Sequence, residues 1–144
     1  MKNEKYLNIT DKRMTRFNIT LKDGVNFVLQ CIKDAKGGEI FVPKLKSYRI
    51  LDLAKAISSK AKIKVIGKRP GEKIDEEMIT AADSINSLEF KNYFIIFANN
   101  KDKTFSFYKK KKKGKNLPLN FSYNSKDNSF LSIKELKDLI KKSV

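Results

Sequence analysis

The sequence contains no histidine and no tryptophan, and its single cysteine is Cys31. The absence of histidine rules out histidine-based acid–base catalysis and a zinc site built from cysteine and histidine. One cysteine cannot form a disulfide within the chain. Because no histidine is available to activate it, we expect Cys31 to be a buried or half-buried thiol and not a nucleophile. A reducing, cytoplasmic setting fits these features.

Glycine, proline and long apolar runs are also scarce. Six glycines and three prolines argue against a fibrous or low-complexity chain. No apolar run approaches the roughly 20 residues that span a bilayer, and the polar opening residues are unlike a signal peptide. A chain of 144 residues with 40% hydrophobic residues is the length of one ordinary domain with a modest core. We expect a globular protein without a membrane span.

Acidic residues are half as numerous as basic ones, 16 against 32, which gives a net charge of +16. Such a charge attracts nucleic acids and anionic surfaces. Nearly all of the basic residues are lysine, however, whereas the planar fork of arginine is better suited to phosphate and guanine. We therefore do not expect nucleic acid as the main partner. A basic module for nucleic acids or anionic surfaces, with residues 109–115 as its contact, is the alternative function.

Apolar periodicity predicts three helices. One begins after Thr20 and stops at Gly37 and Gly38, a second covers residues 47–57, and a third follows the capping-box pair Ser132 and Glu135. The spacing in the first helix indicates a stripe that faces the core: Leu21, Val25, Val28, Leu29 and Ile32. In the second and third helices the residues expected to face inward are Ile50, Leu53, Ala54, Ile57, Ile133, Leu136, Leu139 and Ile140.

Strands are predicted over residues 39–43, 62–66 and 93–97. A short, irregular helix is predicted over residues 76–86, and the lysine run over residues 109–113 is typical of a mobile loop or hairpin tip. Strands and helices alternate, which favours an α/β fold.

Two short segments place arginine in a loop or at the end of an element. They are R-M-T-R-F-N-I-T at residues 13–20 and G-K-R-P-G-E-K-I-D-E-E-M-I at residues 67–79. In a chain that otherwise uses lysine, Arg16 and Arg69 are suited to holding a diphosphate through paired, charge-assisted hydrogen bonds. Either arginine alone fits an ordinary surface ion pair equally well.

Four segments carry a resemblance to a known family: M-T-R-F-N-I-T-L-K-D-G-V at residues 14–25, G-G-E-I-F-V-P-K at 37–44, D-L-A-K-A-I at 52–57 and G-K-R-P-G-E-K-I at 67–74. Weaker similarity extends through residues 93–96 and N-F-S-Y-N-S at 120–125. In this order they resemble the carboxyl-terminal region of inverting UDP-N-acetylglucosamine 4,6-dehydratases, which belong to the extended short-chain dehydrogenase/reductases. The sequence departs from the family pattern at Asn18, where an aromatic residue is usual, and at Asp75, where histidine is common.

The resemblance implies the small substrate-binding portion of such an enzyme, without the Rossmann nucleotide-binding domain. Arg16 and Arg69 would bind the diphosphate of a UDP-sugar, Met14 and Thr15 would lie beside the nucleotide, and Glu72 would orient the loop or hydrogen-bond a neighbouring lysine. Residues 1–98 would form the sugar-nucleotide-binding region, and residues 99–144 a lysine-rich loop and a strand and helix extension on the same domain.

The family's reaction uses NADP, whose pyrophosphate requires a glycine-rich turn after a strand, and the sequence contains no G-x-x-G-x-x-G. We therefore expect this chain to bind no cofactor when it is alone, and we assign it no catalytic residue. We also expect it to depend on a partner that carries an amino-terminal Rossmann domain. Without that partner, an exposed apolar face would cause self-association.

Overall fold

A computed structural model describes residues 6–101 and 103–143. They form two compact units that are made of interleaved parts of the chain. The first unit contains the chain up to Asn18, Lys46–Glu76 and the chain from Ser125, and the second contains Ile19–Leu45 and Glu77–Asn124. Each unit thus draws on both sides of the expected boundary at residue 98, and the functional division at that boundary stays a prediction.

The described residues form four α-helices, ten short strands and one 3-10 turn at Ser84–Asn86. This mixture confirms the predicted α/β class. The helices are α1 (Leu21–Asp34), α2 (Ile50–Ile57), α3 (Lys103–Lys110) and α4 (Ile133–Ser143). The strands are β1 (Tyr6–Ile9), β2 (Thr15–Phe17), β3 (Ile40–Pro43), β4 (Ser47–Arg49), β5 (Lys62–Val65), β6 (Glu77–Ile79), β7 (Ser87–Glu89), β8 (Tyr93–Ile96), β9 (Lys115–Asn116) and β10 (Tyr123–Asn124). None of the helices described here combines the length and apolarity needed to cross a bilayer.

The first unit joins two small sheets and a helix pair. Strand β1 runs parallel to β5, and β2 pairs antiparallel with β4. Helix α2 packs on α4 around a core of Ala56, Leu131 and Leu136. The predicted capping box is present, because the Ser132 hydroxyl accepts from the Glu135 backbone N–H at 3.2 Å and the Glu135 carboxylate accepts from the Ser132 backbone N–H at 2.8 Å. These contacts confirm the third predicted helix and its docked face.

The second unit is built on an antiparallel sheet in the order β3-β8-β7-β9. Strands β6 and β10 form a separate antiparallel pair. The core of this unit is largely aromatic, since α3 contributes Phe105 and Tyr108 to a cluster with Leu88, Ile95 and Phe97. The predicted strands at residues 39–43, 62–66 and 93–97 are confirmed to within one residue at either end.

Helix α1 begins where the sequence predicts, but its apolar stripe does not face the core. Thr20 caps the helix by accepting from the Asp23 backbone N–H at 3.1 Å. The five residues predicted to face inward are all at least half exposed: Leu21, Val25, Val28, Leu29 and Ile32. The half-buried positions of the helix are instead Gly24, Phe27, Cys31 and Asp34. The prediction of a core stripe is wrong because α1 lies on its own unit through the Phe27 side, where the Phe27 and Tyr93 rings are 6.3 Å apart.

Four further predictions need correction. Residues 47–49 form strand β4 and not the first turn of a helix, because they pair with β2. Within α2, Ala54 is buried as predicted, but Ile57 is 41% exposed and Ala56 is buried in its place. Residues 77–79 form strand β6, and the helical turn predicted nearby is confined to Ser84–Asn86. The lysine run, predicted as a mobile loop or hairpin tip, is partly helical, since Lys109 and Lys110 end helix α3 and residues 111–114 connect it to β9.

Candidate functional site

A buried hydroxyl pair joins three distant segments of the first unit. Thr15 and Ser125 are 6% and 0% exposed, and their hydroxyl oxygens are 2.6 Å apart. The Thr15 hydroxyl donates to the Asp75 carboxylate at 2.8 Å, and the Ser125 hydroxyl accepts from the Glu76 backbone N–H at 2.9 Å. Because Thr15 gives its only proton to Asp75, Ser125 is the donor between the two hydroxyls.

Glu76 adds a second connection between the same segments. Its carboxylate accepts from the Phe17 backbone N–H at 2.8 Å, and its backbone carbonyl accepts from the Ser125 backbone N–H at 2.8 Å. Among the described residues, no buried side-chain polar atom lacks a hydrogen-bond partner. A fully satisfied network of this kind holds its members in one arrangement.

The guanidinium of Arg16 is only 18% exposed and is bound to backbone. Its Nη1 donates to the carbonyls of Thr15 at 2.6 Å and Ile74 at 2.8 Å, and its Nη2 donates to the Lys73 carbonyl at 2.9 Å. The carboxylate of Glu72 lies 3.9 Å from Nη2. Arg16 therefore fastens residues 73 and 74 to strand β2 as the molecule is folded.

Arg69 lies in an exposed loop whose shape is set by its own backbone. Gly67 and Gly71 have φ of 86° and 79°, a region that glycine occupies without strain. The Arg69 backbone N–H donates to the Glu72 carboxylate at 3.1 Å, and the Glu72 N–H donates to the Arg69 carbonyl at 3.1 Å. Over residues 6–101 and 103–143, no hydrogen bond or ion pair involves the Arg69 guanidinium. This arginine is presented to solvent from a defined turn.

The structure brings most of the predicted site residues together in the first unit. The Glu72 carboxylate accepts from the Arg69 backbone N–H within the loop, and its other oxygen lies 3.4 Å from the Thr10 hydroxyl, while the role of Glu72 in a substrate site stays a prediction. Met14 is 1% exposed, and its Sδ accepts from the Thr10 hydroxyl at 3.0 Å. Contact of Met14 and Thr15 with a nucleotide stays a prediction, since the contacts described here are internal.

Sequence reasoning assigned no role to Glu76 and Ser125 and treated Asp75 only as a departure from the family. The signal that could have found Ser125 was the N-F-S-Y-N-S similarity, which ends on it. Asp75, where the family commonly has histidine, accepts a hydrogen bond from Thr15 and thus belongs to the buried network.

The described residues offer little to a metal ion, a cofactor or a nucleophilic mechanism. No group of three or more Cys, Asp or Glu side chains there could hold a metal ion. The paired glycines Gly37 and Gly38 precede strand β3 and do not link a strand to a helix, so they do not fit the pyrophosphate of NADP. Burial raises the pKa of the Cys31 thiol, which disfavours the nucleophilic thiolate.

A Tyr-x-x-x-Lys spacing typical of short-chain dehydrogenases does occur at Tyr108 and Lys112. The Tyr108 hydroxyl already has an internal partner, since it donates to the Asp34 carbonyl at 2.6 Å, and the side chain is fully buried. Burial also raises the pKa of Tyr108 well above its ordinary range. This pair therefore does not provide a proton-transfer site.

Comparison with known proteins matches residues 1–98 to the family described as polysaccharide biosynthesis proteins. The chain is 45% identical over 141 residues to a UDP-N-acetylglucosamine 4,6-dehydratase (inverting) of Campylobacter jejuni, covering 94% of this chain and 42% of the relative. It is 34% identical over 144 residues to a UDP-glucose 4-epimerase of Rickettsia canadensis, covering 97% of this chain and 42% of the relative.

Among solved structures, the X-ray structure of Pen from Bacillus thuringiensis matches 98% of this chain and 41% of its own, with a TM-score of 0.78 and 28% identity. The chain thus spans about two fifths of the length of the proteins it matches. The predicted resemblance to the inverting 4,6-dehydratases is confirmed by the Campylobacter match. Because residues 1–98, more than two thirds of the chain, match this family, the chain belongs to the polysaccharide biosynthesis proteins.

Proposed function

We propose that this chain is the nucleotide-sugar-binding part of an inverting UDP-N-acetylglucosamine 4,6-dehydratase that acts in polysaccharide or glycan biosynthesis. The observation that carries the proposal is the 45% identity to the Campylobacter jejuni enzyme over nearly the whole chain. The arrangement of the first unit supports it, because the segments that hold Arg16, Arg69 and Ser125 are tied into one polar network.

Within this proposal the two arginines have different tasks. The exposed Arg69 guanidinium binds the diphosphate, because its donors are free and its loop is fixed. Arg16 is bound to the carbonyls of residues 73 and 74, so its main task is to position the loop. Met14 and Thr15 support the strand that carries Arg16.

The proposal assigns the chemistry to another part of the enzyme. NADP accepts and returns the hydride in a reaction of this class, and we assign its binding to that other part. The chain alone should therefore form no product, and a partner with an amino-terminal Rossmann domain should restore turnover. The cytoplasmic location expected from the sequence stays part of this proposal.

The outward face of α1 is the surface we assign to that partner. It is a stripe of five aliphatic residues, of which Leu21 is 85% exposed and Ile32 is 70% exposed. The chain spans only about two fifths of its relatives' length. We therefore assign the part of the enzyme that corresponds to the remaining three fifths as the partner that covers this exposed face. Covering five aliphatic side chains is worth several kcal/mol, at roughly 25 cal/mol per Å² of apolar surface. When the partner is absent, copies of the chain should associate through the same face.

Turnover by the chain alone and with its partner is the first test. Purified chain is incubated with NADP and UDP-N-acetylglucosamine, with and without the amino-terminal part of the Campylobacter jejuni enzyme. We expect a 4-keto-6-deoxy sugar only in the combined sample, and Val28→Asp should prevent the combination. Product from the chain alone would overturn the assignment of the chemistry to a partner.

Binding of UDP-N-acetylglucosamine to the chain tests the role of Arg69. We expect Arg69→Ala to weaken binding by about 1.5–3 kcal/mol, the usual cost of a hydrogen bond to a charged group. The matched control is Arg13→Ala, because Arg13 is 73% exposed and already paired with Asp11 at 2.8 Å. Equal affinities in both variants would remove Arg69 from the site.

A further inference from the structure

A lysine-lined concavity lies in the second unit, built from residues other than the two arginines. Its volume is about 350 Å³, near the lower end of the range for small-molecule pockets. Five of its lining residues are lysines that come from three places in the sequence: Lys44, Lys91, Lys112, Lys113 and Lys115. Glu89 and Phe90 complete the lining. The fold therefore gathers five positive charges around one acidic residue.

The backbone that carries three of these lysines is fixed by packing. Gly114 is buried, and a Cβ at that position would lie 2.7 Å from Cζ of Phe90. Lys113 has φ of 58°, an uncommon conformation for a residue with a side chain. Lys115 pairs with Glu89 in the β7 and β9 ladder. The lysines are thus presented from a close turn and not from a loose tail.

The charges in the concavity are only partly balanced. The Glu89 carboxylate lies 2.6 Å from Nζ of Lys44, and Lys112 reaches Asp34 at 3.4 Å. In the part of the chain that the structure describes, no ion pair involves the side chains of Lys91, Lys113 and Lys115. Like charges held close together repel one another, and a bound anion would relieve that repulsion.

We propose that this concavity is a binding site for a compact polyphosphate, a ligand with two or more adjacent phosphate groups. Several lysine ammonium groups around one small volume suit such an anion, because each is a strong point charge with three donors and no fixed geometry. The size favours a small ligand over a duplex, whose phosphates lie along an extended surface. The ligand class is an inorganic polyphosphate or the phosphate chain of a nucleotide, and the test separates the two.

Calorimetric titration of the whole chain with inorganic triphosphate tests the site. The variant Lys113→Gln/Lys115→Gln removes two of the unpaired charges. The variant Lys60→Gln/Lys137→Gln changes the net charge equally at exposed lysines of the first unit. We expect the first variant to bind about five- to tenfold more weakly and the second to bind nearly as the parent does. Glu89→Gln should bind more tightly, because it removes the only carboxylate of the lining.

A parallel titration with adenosine triphosphate distinguishes the two sources of phosphate. Equal affinity identifies the phosphate chain as the whole ligand, and higher affinity that is lost in Lys113→Gln/Lys115→Gln identifies a nucleotide. The proposal fails if triphosphate does not bind, or if both charge-matched variants weaken it equally. It also fails if a single-stranded oligonucleotide binds through these lysines and triphosphate does not displace it, which would make the surface a nucleic-acid interface.

Discussion

The Ser125 hydroxyl gives a quantitative test of the buried network in the first unit. Ser125→Ala removes only an oxygen atom from a fully buried side chain, so it creates almost no cavity. Two hydrogen bonds are lost, one to Thr15 at 2.6 Å and one from the Glu76 backbone N–H at 2.9 Å. The change therefore isolates the polar contribution of this position.

The expected loss in the free energy of unfolding follows from those two hydrogen bonds. An unsatisfied, partly buried N–H at Glu76 costs about 1–3 kcal/mol, and the lost hydroxyl pair adds about 0.5–1.5 kcal/mol. We expect Ser125→Ala to lower the free energy of unfolding by roughly 2–4 kcal/mol, a large fraction of the total for a small protein. Thr15→Val should have a similar cost, because it leaves the Asp75 carboxylate without its donor.

Urea denaturation of the single and double variants measures these quantities. Because the bond between the two hydroxyls is counted in both single variants, the double variant should lose less than their sum, by about 1 kcal/mol. Ser122→Ala is the matched control: its half-buried hydroxyl also makes two hydrogen bonds, donating to Glu77 and accepting from Asn124 Nδ2 at 3.1 Å, but water can replace both partners there, so its loss should stay within about 1 kcal/mol. A loss for Ser125→Ala as small as that of the control, or strict additivity with Thr15→Val, would refute the network.

Three other changes test separate parts of the structure. The hydrogen bond from Lys46 is the main cause that lowers the pKa of Glu135 from 4.5 to about 2. The contribution of this carboxylate to the free energy of unfolding is therefore full above pH 4.5 and is lost as the pH falls towards 2. Glu135→Gln or Lys46→Gln should flatten the acid limb of a plot of stability against pH. Gly114→Ala places a Cβ against Phe90 and should lower the free energy of unfolding by about 1–3 kcal/mol, as measured by thermal unfolding. Arg16→Lys keeps the charge but loses the guanidinium that binds the carbonyls of residues 73 and 74, so amide hydrogen exchange in residues 67–74 should become faster. Unchanged exchange would contradict the positioning role of Arg16.

Local signals in the sequence predicted local structure well. The Thr20 cap and the Ser132 and Glu135 capping box were recognised because the side chain and the backbone group it binds are three residues apart. The short strand β4 was missed because its partner β2 lies more than 30 residues away and supplies the hydrogen bonds that decide its conformation. Periodicity in α1 indicated one apolar face correctly but could not tell whether that face meets the core of the same chain.

In the candidate site, too, local motifs could be read from the sequence and long-range contacts could not. Motif similarity selected Arg16, Arg69 and Glu72, whose roles toward a ligand stay predictions, and the structure shows that Glu72 accepts from the Arg69 backbone N–H within the loop. That the Arg16 donors are bound to backbone carbonyls depends on the approach of residues 73 and 74, which no sequence spacing reveals. The Thr15 and Ser125 contact spans 110 residues and was likewise inaccessible to pattern reasoning.

The interleaving of the two units has a consequence for synthesis on the ribosome. Thr15 leaves the ribosome long before Ser125, and the second unit lies between them in sequence. The first unit therefore cannot complete its polar network until Ser125 has been translated, whereas every strand of the second unit is available by Asn124. During that interval Thr15 and the Glu76 backbone N–H lack their hydrogen-bond partner Ser125, and contacts of such long range also form slowly. A ribosome that stalls before the codon for Ser125 would leave a chain in which the second unit can form and the polar network of the first unit is incomplete.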